Sequence, residues 1–367
     1  MSNNYKLRKK LLSPSGDTLQ ETIDKIGMSQ TELSVRMDKD KKNVNQIIKG
    51  KEAITEETAI LLEKVLGIPA EFWLERERIY RQELKEIEME ERFEKYKDWE
   101  RKFPTPEMER LGWIPAATTT ADRTDRLIKY FGVANPESWY NIYENQKASA
   151  AFRMSLKSSS NPYSISAWLR RGEIQVKELS LRKFDRKKFK KSLERIKEIA
   201  YEHPQDFFKK TQEICAESGV ALVHTPNIPK AAISGSFRWV YNRTIPLIQL
   251  SCRYKTNDHF WFTFFHEAGH LILHGKTDVF LEEAEGIRSD RKKEGEADKF
   301  ARNFLISEKA FLEFTSKKVF TNESITEFSR ANKMNSGIVV GRLQHDRFIR
   351  HAELNGHKIK IDIHAVS

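Results

Sequence analysis

The segment His266-Glu267-Ala268-Gly269-His270 carries the strongest chemical signal in the chain. Histidines at i and i+4 project from one face of a helix, so both imidazoles can reach a single metal ion. The glutamate between them then sits beside the open coordination position and can serve as a base for water bound there. The segment reads as helical. Phe260, Trp261, Phe264, Phe265, Ala268, Leu271 and Ile272 form an apolar stripe, Asp258 is an N-cap, and Gly275 suits the position after the last turn. A catalytic zinc needs three protein ligands and one open position. The third ligand is expected on a following helix, where Glu294-Gly295-Glu296-Ala297-Asp298 offers two acids about 200° apart. Measured against the stripe Ala297, Phe300, Ala301, Phe304, Leu305, Glu294 lies about 60° from its centre and Glu296 about 100°. Glu294 is therefore the preferred ligand and Glu296 the alternative, while Asp298 is placed to orient a ligating imidazole. His274, a further four residues past His270, lies on the same edge. A fourth protein ligand would close the site, so His274 is expected beside the ligands rather than among them. Cys252 reads either as a thiol approaching the metal from a strand end or as a buried structural thiol.

Such a set suits metal-assisted peptide hydrolysis. One zinc per chain acidifies water and polarises a carbonyl, and Glu267 carries the proton to the leaving amine. The competing reading is a metal domain that only senses a ligand, which would need the metal ligands but no general base.

The rest of the sequence must hold these residues in place. Its 367 residues predict two or three domains. A 39% hydrophobic content with 22 Phe and 7 Trp excludes wholesale disorder. Two cysteines, Cys215 and Cys252, exclude a disulfide framework and a zinc site built from cysteine alone. No run of 18 apolar residues predicts a membrane span, and Leu11-Leu12 is too short for a signal peptide core. A basic, cytoplasmic protein without membrane contact is expected. The net charge of +11 is uneven: residues 151–200 hold 14 basic and 5 acidic groups, most of the basic ones between Arg182 and Lys197. That stripe either binds phosphates or is the solvated face of a helix capped by Asp185, with Phe189, Leu193 and Ile196 inward.

Residues 17–80 read as a helical unit with apolar residues at helical spacing and breaks at Gly27, Asp38 and Gly50. Gln30–Met37, a turn at Asp38–Asp40 and a helix from about Lys41 have the form of a helix-turn-helix, and Thr55 starts a further helix. The second helix offers Lys41, Lys42, Asn43, Asn45, Gln46 and Lys49 to a DNA groove, with Gln30 at the start of the first. Against DNA binding stand the near balance of 14 basic and 13 acidic groups in residues 1–80, Asp38 at a turn position that favours Gly, and Lys39 at a position that is commonly apolar. A protein-binding or dimerisation module is the alternative; a DNA-binding module favours a dimer. Glu75 to Phe103 predicts a long exposed helix ended by Pro104 and Pro106, followed by helices interrupted at Gly132, Pro136 and a loop at residues 158–162. Strands are expected at 219–223, 231–240 and 246–250, with Asn242-Arg243 as a turn. Ile325 to Phe348 repeats a helix-turn-helix-like spacing in a packing role, and His357 to Ile363 alternates like an edge strand.

Residues 17–80, especially Ile48-Lys49-Gly50-Lys51-Glu52-Ala53-Ile54-Thr55 and Leu66-Gly67-Ile68-Pro69-Ala70-Glu71-Phe72-Trp73-Leu74, resemble the Xre-type helix-turn-helix of HigA-like antitoxins. Residues of about 200–330 resemble the ImmA/IrrE metallopeptidases through His266 to His274 and Glu294 to Ala301 followed by Asn303-Phe304-Leu305-Ile306. The resemblance implies a mainly α, multidomain chain. The expected order is a helix-turn-helix bundle (17–80), a middle region (81–200) read as helical from its periodicity, and an α+β zincin-like metallopeptidase domain with a small sheet (201–367). The resemblance also implies zinc endopeptidase activity on a DNA-binding repressor or antitoxin in a stress, prophage or toxin–antitoxin switch. The family pattern contains both acids, so Glu296 stays open beside Glu294 as the third ligand. A non-proteolytic antitoxin or repressor with a sensing metal domain is the other function kept open.

Overall fold

The computed structural model describes residues 4–143, 161–274, 280–282 and 291–363. They form two compact units, one of residues 1–100 with 116–126 and the other of residues 101–115 with 127–367. This division differs from the three domains expected from sequence. The helix Ala70–Glu94 runs unbroken through residue 80, and the helices Pro162–Val176 and Arg186–Glu202 pack on the C-terminal sheet.

In the first unit, helices Ser15–Lys25, Gln30–Arg36, Lys41–Ile48, Glu56–Leu66 and Ala70–Glu94 enclose Leu19, Ile23, Leu33, Val44, Ile47, Leu62 and Trp73. Side-chain caps set the starts. Ser29 accepts from the Glu32 N–H at 3.1 Å, Asp40 from Lys42 at 2.8 Å and Thr55 from Thr58 at 3.3 Å. Asp38 adopts φ 49° in the turn between the second and third of these helices, the left-handed conformation that glycine adopts more easily. Gly16 lets two helices touch: a Cβ there would lie 2.3 Å from the carbonyl oxygens of Ile47 and Ile48. The helix expected over Glu75–Phe103 instead starts after Pro69 and ends at Glu94, followed by a short turn of helix Lys97–Glu100. It is not wholly exposed, because Trp73, Tyr80, Ile87 and Phe93 turn inward. The early stop also lets Trp99 bury its indole.

The second unit is built on a four-stranded sheet in the order β1 (Ala221–His224), β3 (Ile245–Leu250), β2 (Gly235–Val240), β4 (Phe280–Glu282). β1 runs parallel to β3, and β2 is antiparallel to both β3 and β4. Alternation sends Leu222, Phe237, Ile248 and Leu250 to a core shared with the helix Asn257–Leu273, and Ala221, Val223, Val240 and Leu247 to the opposite face with Val176. β2 begins at Gly235 rather than Ala231, and the expected turn spans Tyr241, Asn242 and Arg243, all at positive φ. Asp185 caps the helix Arg186–Glu202 as expected, with Phe189, Leu193 and Ile196 buried; Lys187, Lys190 and Lys191 face solvent. Asn161 caps the helix from Pro162, while residues 158–160 of the expected loop lie outside the described residues. The helices Asn322–Ala331 and Ser336–His345 bury Ile325, Val339, Val340 and Leu343, the packing role expected of them. The C-terminal edge strand is replaced, among the described residues, by one antiparallel bridge, Thr256 to Lys360. That segment instead covers a helix start: Asn257 N–H donates to the Ile359 carbonyl, and Asn257 Oδ1 accepts from the Ile359 N–H. No helix among the described residues is long and apolar enough to cross a membrane.

Candidate metal centre

The helix Asn257–Leu273 is buried along most of its length, because it lies between the sheet and the helices Arg291–Leu305 and Ser336–His345. Its N-cap is Thr256 and not Asp258. Asp258 sits in the first turn, where a carboxylate is favoured, and pairs with Lys358 at 2.6 Å. The helix ends at His274, and Gly275 lies outside the described residues. Gly269 allows the close approach of Arg291–Leu305, since a Cβ there would lie 3.1 Å from Phe300 Cδ1 and 3.3 Å from Ala297 Cα.

That approach brings Glu294 to the two histidines. His266 Nε2 and His270 Nε2 are 3.0 Å apart, and Glu294 Oε2 lies 3.2 Å from the first and 3.4 Å from the second. These three form the group able to hold a metal among the described residues. Zinc bonds of about 2.0–2.1 Å in a tetrahedron put ligand atoms about 3.3 Å apart, so the triangle matches one tetrahedral face and leaves the fourth vertex open.

The hydrogen bonds around the triangle assign its protons. His266 Nδ1 donates to Asp298 Oδ1 at 2.9 Å, which leaves the Nε2 lone pair facing inward. His274 Nε2 donates to Glu296 Oε2 at 3.1 Å, so its Nδ1 accepts from His270 Nδ1 at 2.9 Å. The His270 Nε2 lone pair then also faces inward. Three electron-rich atoms directed at one point repel each other unless a cation lies between them, and this is the fit expected of a divalent metal. Burial pushes His270 down to about 4, so its imidazole is a neutral donor at pH 7.

Of the two acids considered from sequence, Glu294 thus faces the histidines, and Glu296 anchors His274. Glu267 is fully buried against β2: a Cβ at Gly235 would lie 2.8 Å from its Oε1. Gly235 and Glu296 are the site residues whose roles sequence reasoning missed, since each depends on an element distant in the chain. Cys252 stands outside the metal-binding group, and burial raises its thiol pKa.

In the first unit, Lys41, Lys42 and Lys49 are exposed, and Asn45 and Gln46 are half-buried on the same arc of the helix Lys41–Ile48. Gln30 accepts from Asn45 Nδ2 at 3.1 Å and donates to Gln20 at 2.6 Å. Asn43 falls about 130° away from the centre of that arc and hydrogen-bonds Glu52, so it does not join the others.

Residues 215–333 match the IrrE N-terminal-like domain, a metallopeptidase-type family, and residues 19–73 match the helix-turn-helix family. The chain joins a helix-turn-helix domain to an IrrE N-terminal-like domain. The matched IrrE N-terminal-like segment contains both histidines, Glu267, His274, Glu294, Glu296 and Asp298. No curated protein matches the chain.

Proposed function

We propose that this chain is a cytoplasmic transcriptional regulator that binds operator DNA, as a dimer, through residues 19–73 and cleaves a repressor or antitoxin with a zinc-dependent peptidase domain. The observation that carries the proposal is the convergence of His266 Nε2, His270 Nε2 and Glu294 Oε2 within 3.4 Å of one another, with a glutamate between the histidines. His266, His270 and Glu294 would hold the zinc. When bound, zinc supplies Lewis acidity, acidifying water and polarising a peptide carbonyl. Glu267 accepts a proton from the attacking water and returns it to the nitrogen of the departing amine. Asp298 holds the His266 Nδ1 proton, and His274 with Glu296 holds that of His270, so both imidazoles keep their orientation. On the DNA side, Lys41, Lys42 and Lys49 would contact phosphates, while Gln30, Asn45 and Gln46 face base edges.

The test is Glu267→Gln in the full chain, assayed against repressors and antitoxins expressed beside it. Loss of cleavage with zinc content and melting temperature retained supports the enzyme. Equal processing by the variant rejects Glu267 as the base. Zinc binding without cleavage by the unsubstituted protein favours a sensing domain.

A further inference from the structure

The face of the metal helix that carries His266 continues toward its N-terminus as Phe262 and His259, one and two turns earlier. Beside them lies a cavity of about 140 Å³, closed by Leu305 and Ile306 from the end of the Glu294 helix and by Ile338. Phe262 bridges this cavity and the metal centre, its ring 6.2 Å from that of His266 and 6.4 Å from that of His345. Four residues of helix rise about 6 Å, so the cavity begins roughly one side chain's reach from the ligating imidazoles. Phe262, Leu305, Ile306 and Ile338 give it a mainly apolar surface, and its size is close to the roughly 150 Å³ that holds a benzene ring in an engineered core. Its wall also carries charge: Arg302, Arg342 and the Lys358–Asp258 ion pair line it. Arg302 and Arg342 share one acid, Asp346, at 3.9 and 3.6 Å. Arg342 is held rigidly, stacked 3.9 Å over Phe311 and donating to the carbonyls of Arg302 and Ile306. An apolar pocket with a few fixed polar groups, adjoining a reactive centre, is the usual form of a specificity site.

We infer that this cavity receives a large apolar side chain, of Phe, Leu or Met size, from the peptide on which the metal centre acts. The inference rests on the peptide-hydrolysis reading. The volume sets the upper limit, since an indole exceeds a benzene-sized space. The excess of positive groups in its wall, Arg302, Arg342 and Lys358 against Asp258, disfavours Lys or Arg at the same position.

The experiment uses full-length Glu267→Gln protein, so that binding is read without turnover. The probes are fluorescein-labelled hexapeptide pools with randomised flanks and a central residue fixed as Phe, Leu, Ala, Trp or Lys. The Phe and Leu pools should bind at least about 10-fold tighter than the Ala pool by anisotropy, and the Lys pool no better than Ala. Ile338→Phe, which fills the cavity, should bring the Phe pool to the Ala level with zinc content unchanged. Phe262→Ala, which shortens a half-buried lining side chain and enlarges the cavity, should raise the Trp pool to at least the Phe level. Equal binding of the Phe and Ala pools overturns the inference, as does an unaltered ranking in Phe262→Ala. Assaying the unsubstituted protein separates the two readings. A Phe preference without hydrolysis removes the peptidase reading and leaves a peptide-binding pocket; hydrolysis without the preference removes the pocket alone.

Discussion

His274 is not a ligand in the triangle, yet its removal should weaken metal binding by a calculable amount. Its Nδ1 is the acceptor for His270 Nδ1–H at 2.9 Å, and its orientation is fixed by Glu296 at 3.1 Å. In His274→Ala the fully buried His270 loses that acceptor, so its proton is no longer confined to Nδ1 and its ring is no longer held. One buried hydrogen bond of this kind is worth roughly 1–2 kcal/mol, which is about 10-fold in Kd and at the lower end of the 10–100-fold cost of removing such supporting groups. Glu296→Gln should cost less, below about 1 kcal/mol and up to about fivefold, because the Glu296 side chain is 47% exposed and its bond is screened. The two act in series, so the double variant should match His274→Ala alone rather than the sum. Competition for zinc against a fluorescent chelator at pH 7 measures all three. The relay is refuted if His274→Ala binds zinc as tightly as the unsubstituted protein, or if the two substitutions add in full.

Gly16→Ala should destabilise the first unit severely, because the new methyl meets backbone oxygens at 2.3 Å that cannot rotate away. A loss of about 3 kcal/mol, or about 12–24 °C in Tm for a domain of this size, should appear in thermal unfolding, and a shift under a few degrees would contradict the close approach. His203 accepts from Trp261 Nε1 at 3.1 Å, and burial pushes it down to about 4. The unfolded chain takes up its proton near pH 6.5, so this contribution to stability is intact above pH 6.5 and is lost as pH falls toward 4. In metal-free protein, Tm should therefore fall more steeply across that window than in His203→Asn; parallel curves would contradict it. Replacing both Lys41 and Lys42 with Ala should reduce the slope of log K against log salt for operator DNA by about 1.8, and an unchanged slope would place neither on a phosphate.

What the sequence made legible was local. Thr55 and Asp185 each cap the helix that follows, as expected, because a cap acts within three residues of chain. The i, i+4 histidines and the apolar stripe after Glu294 likewise carry their geometry within one helix, which is why the choice between Glu294 and Glu296 could be argued from residue spacing alone. Non-local features were hidden. Gly235 matters because Glu267 packs against it, and Gly16 because Ile47 and Ile48 cross it. Asp258 falls inside the first turn, after the N-cap Thr256, and pairs with Lys358, 100 residues later. The helix ending at Glu94 has good helix formers on both sides, and its stop answers to the burial of Phe93 and Trp99 rather than to a breaker. The alternating C-terminal segment found a helix N-terminus in place of a strand partner.

Elemental analysis of the purified full chain for zinc, on the unsubstituted protein and on Glu294→Ala and Glu296→Ala separately, tests the metal centre most directly. The expected result is one zinc per chain, lost in Glu294→Ala and kept in Glu296→Ala. No zinc in the unsubstituted protein, or loss in Glu296→Ala but not in Glu294→Ala, would contradict the triangle of His266, His270 and Glu294 as a metal site.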